Sequence, residues 1–379
     1  MLETLLRSFT EPSLAQWGQW LAMWAIGGLL IYLAIKKEME PTLLLPMGFG
    51  AILVNLPFSG AVTQYVDGAA QEAGPLDVLF NAGIANELFP LLLFIGIGAM
   101  IDFGPLLSNP RLFLFGAAAQ FGIFFTLSLS RLFSFSMVDA ASISIIGAAD
   151  GPTAIFVSQF LGSSYAPAIL VAAYSYMALV PIIQPPIIRM ITTKEERRIR
   201  MPYVQTGVSK MVRILFPIII TVVAGLFAPK SVALVGFLMF GNLLRECGVL
   251  NILSETAQKE FANIITLLLG LTISTKMQAA AFLRPETLLI MGLGLVAFVF
   301  DTVGGVLLGK AINLFAKQKV NPMIGAAGIS AFPMAARTVH KMGLEEDNQN
   351  FLLMHAAGAN VSGQIASVIA GGLVLAFFG

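Results

Sequence analysis

Ile145-Ile-Gly-Ala-Ala-Asp150-Gly-Pro-Thr-Ala-Ile-Phe156 sets a carboxylate, a glycine and a proline in the middle of an apolar run. An unpaired charge in hydrocarbon costs about 2.5–3.5 kcal/mol on insertion scales, so an acid kept at that depth points to function. Pro152 has no N–H, and its ring clashes with the turn before it, so the helical ladder is interrupted here. Backbone groups freed at membrane depth are tolerated only where protein or a polar cavity meets them. Two readings of the stretch follow. Either a broken helix presents Asp150 to a cation, or a proline-kinked helix pairs Asp150 with a distant arginine.

The surrounding chain supplies the solvent. Of 379 residues, 57% are hydrophobic and 11% are charged, against about 25% charged in soluble domains. This is the composition of an all-α polytopic membrane protein. A net charge of +1 gives no footing for nucleic acid, and the single Cys247 excludes an internal disulfide or a cysteine cluster. With only His340 and His355, a histidine-based zinc site has too few ligands. No Walker-type phosphate loop and no Ser-His-Asp set is present. Glu3 and Glu11 precede the first apolar run and no small-residue cleavage site follows it, so it reads as a first membrane helix. Trp17, Trp20 and Trp24 read as its interfacial anchors.

Apolar runs of spanning length (about 17–25 residues) fall near 14–35, 83–101, 112–134, 165–189, 210–228, 231–245, 258–275, 286–315 and 350–378. Shorter or interrupted runs fall near 41–57, 141–162 and 321–341. Together they predict about ten to twelve transmembrane segments. The connector between Arg189 and Arg213 holds Arg189, Lys194, Arg197, Arg198, Arg200, Lys210 and Arg213 against Glu195 and Glu196. That excess marks the cytoplasmic side, as Lys36-Lys37 does for the end of the first span. The stretch from Asp67 to Asp77 has acids and no bases, which suits the opposite side.

Two halves flank that connector. Ile146-Gly-Ala-Ala-Asp150-Gly-Pro-Thr aligns with Ile324-Gly-Ala-Ala-Gly328-Ile-Ser-Ala, and Val171-Ala-Ala-Tyr-Ser-Tyr176 with His355-Ala-Ala-Gly-Ala-Asn360. The shared order predicts two inverted repeats with broken helices, the arrangement that places a transport site near the bilayer midplane. The expected division is an N-terminal membrane helix at 1–40, a first repeat at 41–190, the basic connector at 191–209 and a second repeat at 210–379.

In the second half, Asn321-Pro-Met-Ile-Gly-Ala-Ala-Gly-Ile-Ser330-Ala-Phe-Pro333-Met-Ala-Ala-Arg337 brackets small residues between two prolines. In the last span, Asn360, Gly363, Gln364 and Ser367 share a helix face by their three- and four-residue spacing. With Asp150, Thr153, Tyr174 and Tyr176 they offer oxygen ligands, which hard cations prefer. One carboxylate among neutral oxygens suits Na+ or a proton better than a divalent ion, because residual charge is costly in a low dielectric. Ser362, Ser367 and Thr153 fit interhelical packing at least as well as ligation, whereas Asn321 and Asn360 stand beside breaks. Arg337 either reaches an interface or receives a carboxylate on its guanidinium fork. Asp301 is a second relay group or the structural partner of a buried base. Arg245 and Glu246 are placed to pair at a helix end.

At these residues the sequence resembles the beta subunits of the sodium-pumping biotin-dependent decarboxylases, the oxaloacetate, methylmalonyl-CoA, glutaconyl-CoA and malonate decarboxylase complexes. The resemblance is carried by Gly147–Phe156, Ala172–Pro186, Phe240–Gly248, Asn321–Arg337, Met354–Asn360 and Glu40–Gly50. It implies a membrane subunit that decarboxylates carboxybiotin and couples this to Na+ export with proton consumption. The carboxybiotin would come on the carrier domain of a partner, not attached to this chain. The resemblance further implies an alpha (carboxyltransferase) subunit, gamma and delta subunits, an oligomeric assembly in membrane lipid, and the bacterial or archaeal inner membrane. Carried over by residue, Asp150, Asn321, Ser330 and Asn360 would hold Na+. Tyr176 would assist as ligand or proton donor, and Arg337 would bind the carboxyl group. A stand-alone sodium symporter or Na+/H+ antiporter would use the same broken helices without chemistry and is the competing reading. A passive channel fits less well, because a buried acid beside a break suggests occlusion.

Overall fold

The first helix, α1 (Leu14–Lys36), starts at a capping box: Ser13 Oγ accepts the Gln16 N–H at 3.3 Å and Gln16 Oε1 accepts the Ser13 N–H at 2.8 Å. These exchanges satisfy donors that a helix start leaves free. The coordinates are a computed structural model that describes residues 12–66, 69–70, 72–202, 207–227 and 229–379. Residues 1–11, Asp67 and the 203–206 part of the basic connector lie outside the described residues. The described chain is helical except for one two-residue antiparallel pair, Tyr65–Val66 with Ala69–Ala70. The expected all-α class is met.

The chain divides into two units, Met1–Phe89 with Asn263–Leu289, and Pro90–Ala262 with Ile290–Gly379. In the first unit, α1 packs on α2 (Pro41–Val54) so closely that a Cβ added at Gly27 would lie 2.7 Å from Gly48 O. Asn55, just past α2, is fully buried and spends its whole amide on backbone. Its Nδ2 donates to Ala51 O and Met277 O at 2.8 Å each, and its Oδ1 accepts the Ala279 N–H at 2.7 Å. One side chain thereby satisfies three backbone groups where helices stop. The next helix, α3 (Pro75–Gly83), carries Phe80, whose ring lies 4.0 Å beneath Lys276 Nζ.

Among the described residues, five helices are long and apolar enough to cross a bilayer: Leu14–Lys36, Pro110–Leu132, Ala166–Ile191, Pro285–Phe315 and Leu353–Phe378. A sixth arises if α3 and α4 (Leu88–Met100), bent 63° apart, count as one span. Other apolar runs form shorter helices, among them Pro41–Val54 and Met137–Ala148. The chain is therefore a multi-pass membrane protein.

The second unit holds the interrupted segments. The span Pro110–Leu132 is itself broken into α5 (Phe113–Ala118) and α6 (Phe121–Leu132). It is followed by α7 (Met137–Ser144), α8 (Gly151–Phe160) and α9 (Ala166–Ile191). After the connector come α10 (Lys210–Phe227), α11 (Val232–Glu246), α12 (Ala262–Ile273), which from Asn263 on belongs to the first unit, α13 (Pro285–Phe315), which enters the second unit at Ile290, α14 (Met334–Glu346) and α15 (Leu353–Phe378). Within this unit α4 and α11 touch backbone to backbone. A Cβ at Gly98 would stand 1.9 Å from Leu238 O, and one at Gly241 would stand 2.0 Å from Ile95 O. Small residues permit this approach where lipid supplies no hydrophobic drive.

Ion pairs bind the connector to the end of α14. Arg189 meets Glu345 at 2.9 Å, Arg197 meets Glu346 at 2.6 Å, and Arg200 meets Asp347 at 2.6 Å. The Arg245–Glu246 pair expected at the end of α11 forms at 3.5 Å, in a cluster with Arg213 and Asp102.

Either Gly98→Ala or Gly241→Ala should lower stability in detergent by about 1–3 kcal/mol through overpacking, read as a fall in Tm. Arg197 and Glu346 are 12% and 15% exposed, against 53% and 44% for Arg189 and Glu345. Arg197→Ala should thus cost about 2 kcal/mol, and Arg189→Ala about 0.5 kcal/mol or less. Hydrogen bonds from Arg200 hold the Asp347 carboxyl below the usual carboxylate range. For Glu196, partial burial is outweighed by the Thr193 N–H and Lys310, and it too lies low. Lowered carboxylates stabilise the fold above their unfolded values, about pH 4, and that support is lost as pH falls through the folded ones. Limited proteolysis of the connector should accelerate below about pH 4 and stay constant between about pH 6 and 8.

Candidate cation site

Three pieces of the second unit build the site, and the first is the stretch around Asp150. Ile145–Ala148 tighten into a 3-10 turn, Ala149 turns left-handed at φ 51°, and Asp150 is extended at φ −124° before α8 starts. A left-handed alanine costs about 1–2 kcal/mol, so the surroundings hold it there. Asp150 is the N-cap of α8: its Oδ1 accepts the Thr153 N–H at 3.3 Å. A helix N-terminus favours a negative charge at this position. Oδ2 accepts from Thr153 Oγ1 at 2.7 Å and from Ser367 Oγ at 2.8 Å. The acid is 3% exposed, and among the described residues its side chain has hydroxyl and backbone partners and no arginine or lysine. The helix is broken as expected, and the reading in which Asp150 pairs with a distant arginine finds no such partner.

The second piece is the interrupted segment before α14. Ser330 donates to Ala148 O through its N–H at 3.1 Å and through its Oγ at 2.8 Å. One break is thus hydrogen-bonded directly to the other. The third piece is α15, whose shared face supplies Asn360, Gln364 and Ser367. Asn360 Nδ2 donates to Ile329 O at 2.7 Å, and Gln364 Nε2 donates to Ser330 O. With both amide nitrogens committed to carbonyls, Asn360 Oδ1 and Gln364 Oε1 are left buried with no hydrogen-bond partner among the described residues. The same holds for the hydroxyl of Tyr174, whose ring lies against Gly151. A Cβ there would fall 2.5 Å from Tyr174 Cζ. Buried acceptor oxygens without donors are costly, and a hard cation is the partner that such oxygens and one carboxylate suit.

The family model for the beta subunit of Na+-transporting oxaloacetate decarboxylase matches residues 19–378. The chain belongs to this family. It is 48% identical to the methylmalonyl-CoA decarboxylase subunit beta of Propionigenium modestum, over 94% of each chain. It is 45% identical to a probable oxaloacetate decarboxylase beta chain of Vibrio cholerae, over 96% of each. It is also 45% identical to the glutaconyl-CoA decarboxylase subunit beta of Acidaminococcus fermentans, over 96% of this chain and 94% of the relative. This beta subunit is accordingly a membrane component of a decarboxylase sodium pump, and the stand-alone transporter reading gives way.

The residues singled out from sequence fall in different places. Asp150, Ser330 and Asn360 are brought into the one cluster just described. Asn321 is fully buried, but its Nδ2 donates to Arg197 O and Ile199 O at 2.9 Å each and its Oδ1 accepts the Met323 N–H at 3.1 Å. Its whole amide ties the interrupted segment to the connector. The Tyr176 hydroxyl donates to Met291 O at 2.5 Å, so at Asp150 the nearer tyrosine ring is that of Tyr174. Arg337 is exposed on the first turn of α14 and, unlike Arg189, Arg197 and Arg200, stands without an acid partner among the described residues. Thr153 and Ser367, which sequence assigned as readily to packing, both bond Asp150. The signal that could have found Thr153 is its i+3 spacing from an acid at a helix start, the pattern of an N-cap.

Ser367→Ala and Thr153→Val each remove one hydroxyl from Asp150 while leaving shape nearly intact. Each should raise the Na+ concentration for half-maximal activity about 5- to 30-fold, the effect of about 1–2 kcal/mol. Titrating the purified complex with Na+ would check this; unchanged constants would detach both hydroxyls from the ion.

Proposed function

We propose that this beta subunit decarboxylates carboxybiotin presented by a partner's biotin carrier domain and uses the reaction to export Na+. The carboxyl group leaves nitrogen as CO2 and the nitrogen takes a proton, so one proton is consumed per turnover. Expelling one Na+ costs about 2.3 kcal/mol per 100 mV plus about 1.4 kcal/mol per tenfold concentration ratio. Family membership supplies the reaction. Asp150, buried between two hydrogen-bonded helix breaks, is the observation that supports the coupling.

In this reading Asp150, Ser330 and Asn360 hold Na+, and Asn321 secures the break that carries Ser330. Tyr176 assists as ligand or proton donor. Asp150 exchanges Na+ for a proton, as a carboxylate can hold either. Arg337 receives the carboxyl group, since an exposed guanidinium with no acid partner among the described residues keeps its fork free for a bidentate carboxylate. The shorter helices bring the crossings to about ten to twelve, arranged as two inverted repeats of 41–190 and 210–379 after a first helix at 1–40. The connector at 191–209 faces the cytoplasm by its excess of bases. Alternating access then comes from one repeat rocking against the other. The partners are an alpha carboxyltransferase and gamma and delta subunits, in an oligomer in the bacterial or archaeal inner membrane. The acid that feeds biotin is one of those for which the relatives are named, oxaloacetate or an acyl-CoA thioester.

Inverted vesicles carrying the complex should take up radiolabelled Na+ when the substrate acid is added. Asp150→Asn should cut Na+-dependent decarboxylation at least a thousandfold, beyond about 4 kcal/mol, and spare carboxyl transfer to biotin by the partner. Full activity in that variant would remove Asp150 from the mechanism.

A further inference from the structure

Asp301 on α13 is fully buried, and no function has yet been given to it. Its Oδ1 accepts the Gly122 N–H at 2.5 Å. That amide lies in the first turn of α6, where Ala119 and Gln120 interrupt the span and leave a donor free. Its Oδ2 has no hydrogen-bond partner among the described residues. This oxygen lies against the other break: a Cβ on Gly147 would fall 2.6 Å from it, and 2.7 Å from Ala297 Cβ. Among the described residues no base pairs with it, so the structural-partner reading of this acid finds no partner cation there. A proton needs only this one oxygen, which has no hydrogen-bond partner among the described residues. The helix start supports the ionised carboxylate at Oδ1, and the apolar wall of Ala297 beside Oδ2 accepts the neutral acid without an unpaired charge.

We propose that Asp301 is a second proton-binding group of the pump, whose protonation weakens Na+ binding at Asp150 through the field across Ile145–Ala148. The proposal rests on the Na+ role given to Asp150 above. Gly147, against Oδ2, is three residues from Asp150, at most about 11 Å of backbone. A unit charge about 12 Å from a cation, at an effective dielectric of about 20, changes its affinity about tenfold. Of the other charged and titratable groups on the packed elements, Tyr174 lies against Gly151 on the Asp150 side of the break, and the following are engaged elsewhere. Arg131, at the far end of α6, donates to Phe135 O. Tyr176 donates to Met291 O at 2.5 Å, and Lys310 on α13 meets Glu196 at 3.2 Å. By linkage, Na+ must lower the proton affinity of Asp301 by the same factor that its proton lowers Na+ affinity.

Asp301→Asn tests this because the amide oxygen still accepts the Gly122 N–H while the group no longer titrates. In the reconstituted pump, the Na+ concentration for half-maximal decarboxylation is measured across pH. The variant should need about tenfold more Na+ at alkaline pH, converge on the wild type at acid pH, and show a flatter pH dependence. Superimposable curves would overturn the proposal, leaving Asp301 as a cap for α6. Isotope-edited infrared difference spectra of the wild-type complex, with and without Na+, decide the matter even if the variant fails to assemble. Two aspartic-acid carbonyl bands that respond to Na+ support a second group, and a single band overturns it. A wild-type pump indifferent to Na+ would instead sink the reading of Asp150, and the two failures are distinct.

Discussion

Ala148, Ala326, Ile329 and Ser330 sit where helical ladders stop inside a membrane protein, and each carbonyl is met by a side chain from another element. Ser330 reaches Ala148 O, Gln184 reaches Ala326 O, Asn360 reaches Ile329 O and Gln364 reaches Ser330 O. Each unmet group would cost several kcal/mol in hydrocarbon, so these four contacts decide whether the breaks can exist. They also decide what faces inward. An amide whose nitrogen is committed to a carbonyl must turn its oxygen the other way. Asn360, Gln364 and Gln184 each show such an oxygen, without a hydrogen-bond partner among the described residues. Satisfying the backbone and furnishing acceptor oxygens are thus one act.

The breaks were legible because proline chemistry is local. Gly151-Pro152, Pro322 and Pro333 announce interruptions at any depth, and Asp150 among them is conspicuous in a chain so poor in charge. The long spans were legible for the same reason: 14–35, 165–189, 286–315 and 350–378 became helices within a few residues of those bounds. The break at Ala119–Gln120 was not, since no proline or glycine marks its centre. Nor could the role of Ser367 be told apart from packing, and Thr153 is marked only by its i+3 spacing from an acid at a helix start. Ser142 and Thr221 in the same chain do what such hydroxyls ordinarily do in helices, bonding Val138 O and Pro217 O four residues back. Ser367 likewise bonds Gln364 O three residues back, and only its second partner, Asp150, sets it apart. Tyr174 and Tyr176 pose a similar limit: two residues apart on a helix they face nearly opposite ways, and the stretch itself does not say which way the break lies.

Asn321 shows how a residue can matter to a site from outside it. Its amide and that of Asn350 both donate to Arg197 O at 2.9 Å, while the Arg197 side chain holds Glu346. The segment carrying Ser330 is therefore anchored at one end to the connector and at the other to Ala148. A shift in the connector would be felt at the carbonyl to which the first break is bonded, because these contacts are made or lost as units and do not stretch.

The choice of partners for Asp150 bears on how the acid can exchange ions. An arginine beside it would hold the carboxylate ionised and compete with any cation for it. Hydroxyls do neither. Ser and Thr each carry one donor and two acceptor sites, and the hydrogen rotates to suit its neighbour. Thr153 and Ser367 can donate to the ionised acid, accept from the protonated one, and turn a lone pair to a cation, all without moving a heavy atom. The buried acid can then change occupant at little reorganisation cost, as the proposed exchange of Na+ for a proton requires. A salt bridge in the same place would have been more stable in one state and useless in the next.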